Sequence, residues 1–424
     1  MNRFLLLFAM LSVSAFAQNV YYVNVGTGSD SNSGTSAGSA WKTINHANSA
    51  MTVPAAGVVV HVAAGTYPED VSVNKSGTAS GYIRYVCDTK WTITVGSSSC
   101  DVTGVSFNTI WNLPGASYVE INGFEIDGSG HDTGIGISGT SNTGVRIIGN
   151  KIHDTARQGN KTAGAVIALN ADAQTVTVPG NNLYMGNYIY HNNGGGSSTQ
   201  NAGGANHGIY VEESGDIIEN NLIMDQGGGW CIQLWHQSTN VVITNNTLLN
   251  CARGGIIVGS DLRTGVPDDH TTVNNNIVAN SGGNGGQYGI IEYGSSCTAV
   301  GPNNVYYNNL TWGNSRSDYS LCGGKTPVNP KTVSSCGGSV SACNSSVFVN
   351  YTGLSTGDYH LKSGSSAINA GTNDNCATGG ISPCVPTTDF SGTTRPTPPA
   401  IAAFESRVAG SAPSAPSVLT ALVR

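Results

Sequence analysis

Between residues 145 and 315 the apolar and polar positions follow one phrase, written six times: hydrophobes, an asparagine, another hydrophobe, and in most copies a closing Asp or Asn. The recurring asparagines are Asn150, Asn187, Asn221, Asn246, Asn276 and Asn309, spaced 37, 34, 25, 30 and 33 residues apart. An interval of that size marks a stack of similar units. Other runs, Ile135-Gly-Ile137, Ile209-Tyr-Val211, Ile232-Gln-Leu234 and Ile256-Ile-Val258, place apolar residues two apart between Gly, Asn or Ser. That is the period of a strand. No helical pattern of about 12 residues separates successive units, which disfavours helical repeats and βαβ crossovers.

An asparagine once per unit has a physical reason. Stacked in a coil corner, each side-chain amide can donate to and accept from the next, about 4.8 Å away, the spacing of paired strands. Glycine supplies the tight and left-handed backbone at other corners, which accounts for 57 glycines in 424 residues. The pattern predicts an all-β chain, a right-handed parallel β-helix in which each unit is one coil. Unequal spacing then reflects loops of different length at one corner, the longest at 155–163, 194–206 and 261–270.

Two phrases carry a resemblance. Asn206-His207-Gly-Ile-Tyr-Val-Glu-Glu-Ser-Gly-Asp-Ile-Ile-Glu-Asn-Asn221 and Gly228-Gly-Trp-Cys-Ile-Gln-Leu-Trp235 resemble the secreted right-handed β-helix repeat proteins of the pectate-lyase-like superfamily. The stretch from Val20 to Thr35, followed by Trp41-Lys-Thr-Ile44, is similar to the opening of many such proteins, where it implies a first strand and a capping helix. Residues 357–371, 389–396 and 401–405 resemble the choice-of-anchor Q ending of bacterial surface proteins, which implies a C-terminal lid and cell-surface association. The superfamily hosts lyases, hydrolases, epimerases and binders, so the resemblance implies fold far more than activity.

Residues 1–17 read as a secretory signal: Arg3, an apolar core, and Ala15-Phe-Ala17 before Gln18. No later segment reaches the roughly 18 apolar residues of a membrane span. The expected location is outside the cytoplasm, secreted, periplasmic or at the cell surface. Ten cysteines fit an oxidising compartment. Neighbours in sequence suggest Cys87–Cys100, Cys297–Cys322, Cys336–Cys343 and Cys376–Cys384, which leaves Cys231 and Cys251 about one coil apart. The expected organisation is a cap and first coils at 19–100, the β-helix at 101–339, the lid region at 340–405, and a Pro/Ser/Ala tail at 406–424. A monomer is expected, because a solenoid lengthens along one axis without a second core.

Charge narrows the partners. Charged residues make up 10% of the chain and the net charge is −7. Between residues 91 and 324, seven basic residues face 17 acidic ones, a poor match to nucleic acid and to a strongly polyanionic glycan unless calcium mediates the contact.

In a parallel stack, equivalent positions of successive coils form columns. Aligning the segments 207–213, 230–236, 254–260 and 288–294 sends Ile209, Ile232, Ile256 and Ile290 inward. Tyr210, Glu212, Gln233, Trp235 and Tyr293 then point outward, with His207 beside Trp230 and Glu213 beside His236 at the strand ends. Exposed rings suit the C–H faces of a sugar, and polar hydrogen-bonders suit its hydroxyls. Tyr210, Trp230, Gln233, Trp235, Arg253 and Tyr293 are therefore expected to contact a polysaccharide or oligosaccharide. Glu212, Glu213, His207, His236 and Asp261 are the expected catalytic groups. Glu212 or Glu213 would pair with Asp261 or Asp269, since glycosidases use two carboxyls about 5 Å or about 6.5–9.5 Å apart, and the histidines would move protons near neutral pH.

Each has a plainer reading: a solvated or capping carboxylate, a corner histidine bonded to a carbonyl, an indole covered by a loop. Asp261, Asp268 and Asp269 admit calcium, although their spacing matches no known loop motif; His153-Asp154 with Arg157 is a further, less favoured cluster. Lyases of the superfamily often use a lysine or arginine as base, yet Lys151 and Lys161 fall outside the aligned strands and Glu213-Ser214 stand where such a base would follow. Hydrolysis is therefore favoured over elimination. The competing reading is a non-catalytic surface, adhesion or glycan-binding protein.

Overall fold

The computed structural model describes residues 18–91, 99–106, 108–129, 131–155, 163–169, 179–192, 206–262, 265–283, 287–294, 297–333, 336–337, 339–373 and 385–406. The signal segment, the Cys376–Cys384 pair, Arg157 and most of the tail lie outside these residues, as do most of the loops at 155–163 and 194–206.

Three parallel sheets run the length of the chain. We name them A, B and C in the order a coil visits them; among the described residues they hold ten, nine and nine strands. In one coil the strands are Arg146–Ile148 in sheet A, Lys151–His153 in B and Ala163–Leu169 in C. Each pairs in parallel with its counterpart one coil on. This is the expected parallel β-helix.

The corner between sheets A and B is built as the spacing implies. The amide N–H of Asn187 donates to Asn221 Oδ1 at 2.9 Å, and Asn187 Nδ2 donates to the same oxygen at 2.9 Å. The pattern repeats from Asn150 to Asn187, Asn221 to Asn246, Asn246 to Asn276 and Asn276 to Asn309. The preceding residue, Gly149, Gly186, Asn220, Asn245, Asn275 or Asn308, is left-handed with φ between 46° and 64°. Gly and Asn tolerate that conformation best.

Inside the coils lies a continuous apolar core that includes Ile147, Ile152, Ile189, Ile209, Ile232, Ile256 and Ile290. The first turns are closed by helix α1 (Ile44–Ala50), which buries Ile44 and Ala47 and is capped by Thr43, whose hydroxyl accepts from the N–H of His46. Toward the C-terminus, described residues of 343–373 and 385–404 pack along the outer face of sheet B. Val347, Phe348, Tyr359, Leu361, Phe390 and Phe404 pack there on Leu222, Met224, Leu249, Ile277 and Trp312. Sheet B is therefore apolar on both faces in its later coils. Disulfides join Cys87–Cys100, Cys231–Cys251, Cys297–Cys322 and Cys336–Cys343. No described helix is long and apolar enough to cross a membrane.

Candidate functional site

Sheet C supplies the floor of the site. Its register stacks Ile209 on Ile232, Ile256 and Ile290, all fully buried, and places Tyr210, Gln233, Ile257 and Ile291 in the adjoining outward row. One row further, Glu212, Trp235, Gly259 and Tyr293 follow in successive coils, with Gly259 paired to Tyr293. Five residues expected to contact a ligand, Trp230, Gln233, Trp235, Arg253 and Tyr293, line a cavity of about 250 Å³ together with Ile257, Gln287 and Ile291. The Trp235 and Tyr293 rings are stacked, with centroids 6.1 Å apart and planes at 25°; Tyr293 is 53% exposed.

The indoles have room because glycine lies under each. A Cβ on Gly254 would come within 2.1 Å of the Trp230 ring, and one on Gly259 within 2.5 Å of the Trp235 ring. Gly254 and Gly259, together with Gln287, are the parts of this surface that the strand alignment did not single out as functional. The available signal was a glycine one coil from a tryptophan in an otherwise β-branched strand, a known mark of close approach.

A chain of polar groups borders the cavity at the Trp235 end. The Tyr210 hydroxyl donates to Glu212 Oε1 at 2.6 Å. His236 Nε2 lies 3.2 Å from the same oxygen, and His236 Nδ1 lies 2.8 Å from Asp261 Oδ1. His236 shares the inward parity of Ile232 and Leu234, but its backbone is left-handed at φ 70°, which ends the strand's alternation there. The ring thus stands between two carboxylates from coils on either side of its own. Burial opposes its charge; the hydrogen bonds and fields of Glu212 and Asp261 outweigh burial and hold the imidazole above its ordinary pKa. Burial, followed by the adjacent Glu212 charge, pushes the Tyr210 phenol upward, so it stays a donor.

Two expected catalytic groups are enclosed and not exposed to the cavity. His207 is fully buried, and its Nδ1 accepts from the Trp230 N–H at 3.1 Å. Burial, with Arg253 adding to it, pushes its pKa down to about 3, so the ring is neutral. Glu213 is also fully buried and accepts from Asn182 Nδ2. Burial and the nearby Asp216 hold its carboxyl well above the usual range. Glu213 shares the inward parity of Ile209 and Val211, whereas His207, two residues before Ile209 as Trp230 is before Ile232, packs edge-on against the Tyr210 ring at 5.2 Å and is buried on the outward side. Both side chains are held by neighbours within the fold in this structure. Tyr210 is 5% exposed and belongs to the polar chain rather than to the cavity lining.

The 261–270 carboxylates diverge instead of gathering around a calcium ion. Asp261 is bound to His236. Asp268 is fully buried, and burial raises its pKa strongly. Asp269 accepts from the N–H and Nδ2 of Asn303, both at 2.8 Å.

Neither a protein-family model nor a curated protein sequence matches the chain. Among solved structures, similar ones include the complex of XylC with xylose (14% identity, 74% of this chain and 70% of that chain, TM-score 0.46). Pectate lyase Pel9A matches at 18% identity over 93% of this chain and 98% of its own, with TM-score 0.47. An alginate lyase from Paenibacillus sp. str. FPU-7 matches at 17% identity over 68% and 95%, with TM-score 0.40. These are likenesses in the path of a coiled chain; what this chain binds has to come from its own side chains.

Proposed function

We propose that this protein is an exported carbohydrate-active β-helix that binds a glycan in the sheet C cavity and hydrolyses it at the adjoining polar chain. The observation that carries the reading is the juxtaposition of the Trp230, Trp235 and Tyr293 rings with the Glu212–His236–Asp261 chain. The rings offer stacking surfaces to sugar C–H faces. Gln233, Gln287 and Arg253 offer hydrogen bonds to hydroxyls and ring substituents.

Glu212 and Asp261 are the two carboxyl groups. Each meets a different nitrogen of the His236 ring, at 3.2 Å and 2.8 Å, so the two are set apart by an imidazole, in keeping with the wider carboxyl spacing of inverting hydrolysis. In that reaction one carboxyl protonates the departing glycosidic oxygen while the other takes a proton from the attacking water. The C–O bond to the leaving sugar breaks and a new C–O bond to water forms on the opposite face. Each turnover leaves the acid one proton short and the base one proton over. His236 contacts both and supplies the path that returns the proton. β-Elimination finds less support, because the coil lysine Lys151 lies on sheet B.

A second reading, a glycan binder without hydrolytic activity, is favoured by the low exposure of Glu212, 5%. One screen separates these readings. Neutral and acidic plant, algal and bacterial glycans are incubated with the protein, and new reducing ends and unsaturated-uronate absorbance are followed. Reducing ends without absorbance support hydrolysis, absorbance supports elimination, and binding with neither supports the binder.

A further inference from the structure

On another wall of the coil, the outer face of sheet B changes character along the axis. Where the described residues of 343–373 and 385–404 cover it, the side chains are Leu222, Met224, Leu249, Ile277 and Trp312. In the coils before the cover, the same face carries Glu125, Asp127, Lys151 and His153. The residue that follows each of the five sheet B strands from Lys151–His153 to Ile277–Ala279 is left-handed: Asp154, His191, Asp225, Asn250 and Asn280 have φ of 58°, 54°, 55°, 53° and 56°. Under the cover this column is asparagine, and Asn280 Nδ2 donates to Asn344 and Tyr351. Ahead of it the column reads Asp, His, Asp.

Two imidazoles from consecutive coils turn toward Asp154. His153 Nδ1 lies 2.8 Å from Asp154 Oδ2 and 3.9 Å from Asp127 Oδ1. Its other nitrogen, Nε2, is 3.2 Å from Glu125 Oε1. His191 Nε2 lies 3.9 Å from Asp154 Oδ1, and its Nδ1 is 2.8 Å from Asp225 Oδ2. Each ring therefore has a carboxylate behind it and presents its remaining nitrogen to the same aspartate. Backing of this kind fixes the tautomer and the aim of metal-ligating histidines.

The spacing also fits. The donor atoms of Asp127, His153 and Asp154 all lie within 4.8 Å of one another. Around a tetrahedral ion with bonds of about 2.0–2.2 Å, adjacent donors stand about 3.3 Å apart, between the two separations His153 Nδ1 already has. Lys151 Nζ sits 2.6 Å from Glu125 and offsets that charge. The negative charge facing the centre is then that of Asp127 and Asp154, which matches a dication.

We propose that Asp127, His153, Asp154 and His191 form a binding site for a first-row transition dication of the zinc type, with Glu125 and Asp225 orienting the two rings. Two imidazoles among the donors select against calcium and magnesium, which take oxygen ligands. Because the four ligands come from three consecutive coils, the bound ion is a cross-coil staple at the edge of the C-terminal cover. This inference is independent of the sheet C reading.

The test is a titration of zinc chloride into the full-length, metal-stripped protein, followed by calorimetry and by thermal melting. One equivalent is expected to bind and to raise Tm. Cobalt(II) in its place is expected to show the visible absorption of a tetrahedral N/O site. His191 is 41% exposed at its side chain, so H191A should fold; it is expected to weaken zinc binding at least tenfold, and D225N about tenfold. No zinc binding, zinc affinity unchanged in H191A, or calcium bound in preference to zinc would each overturn the proposal.

Discussion

Gly259 lies directly beneath Trp235: a Cβ there would stand 2.5 Å from the indole ring and 2.6 Å from the Tyr293 carbonyl oxygen. The cavity therefore depends on a side chain that is missing from the strand as much as on the aromatic residues above it. Gly259→Ala is expected to push Trp235 off its stack with Tyr293, weaken glycan affinity tenfold or more (about 1.4 kcal/mol) and lower Tm. Trp235→Ala is expected to lose the same affinity with a smaller change in Tm, since Trp235 is only partly buried. Binding titrations beside thermal melts check both; a G259A protein that binds as well as the parent would show that the indole does not touch the ligand.

His236 makes the site sensitive to pH. Its pKa is held above the ordinary histidine value of about 6.5 by Glu212 and Asp261, against the effect of burial. The ion pairs are thus complete below about 6.5 and are lost as pH rises through the higher folded value. Activity that needs the bridging imidazolium is expected to fall on that alkaline limb. H236Q is expected to remove the limb and cost about 10²–10⁴-fold in rate, a comparison that pH–rate profiles make directly. A parent profile that stays level across this range contradicts the assignment.

The asparagine ladder carries stability. Asn246 Oδ1 accepts from both Asn221 nitrogens, and its Nδ2 donates to Ile218 O and Asn276 Oδ1. Removing the amide leaves the buried Asn221 N–H and the Ile218 carbonyl without this partner, each costing about 1–3 kcal/mol. Asn246→Ala is expected to lower stability by about 2–5 kcal/mol, read from denaturant unfolding. A loss under about 0.5 kcal/mol would mean that the corner does not rely on the ladder.

Inside the coils, Glu213 and Asp216 form a buried acid pair on either side of Asn182. Burial raises Asp216, and burial together with Asp216 raises Glu213. The folded chain thus holds a proton that the unfolded chain releases near pH 4. The sign follows from linkage: this contribution is full below about pH 4 and is lost as pH rises toward the folded values. D216N is expected to show a smaller fall in Tm between pH 5 and pH 8 than the parent. Parallel curves for the two proteins would count against the buried proton.

Much of this architecture was readable from residue order, for a physical reason. A ladder asparagine must recur once per coil, so Asn150 through Asn309 announce the stack, and the period of two identifies the Ile209–Ile290 column as the core. Alternation also sends Glu213 inward beside Val211, while the burial of His207 against Tyr210 and Trp230 depends on packing that residue order does not disclose. His236 escapes the same rule only through its left-handed backbone, which the sequence does not disclose. Of the sheet B cluster, the sequence offered His153-Asp154 but not their partners. His153 and His191 meet at Asp154 because of corner geometry and strand register, neither of which can be read from a spacing of 38 residues.

The most direct measurement is a crystal structure of the E212Q protein soaked with an oligosaccharide that the glycan screen identifies. Sugar rings resting on Trp230, Trp235 and Tyr293, with a glycosidic oxygen within hydrogen-bond reach of residue 212 or Asp261, are the predicted result. Sugar bound on sheet A or sheet B while this cavity stays empty would contradict the account.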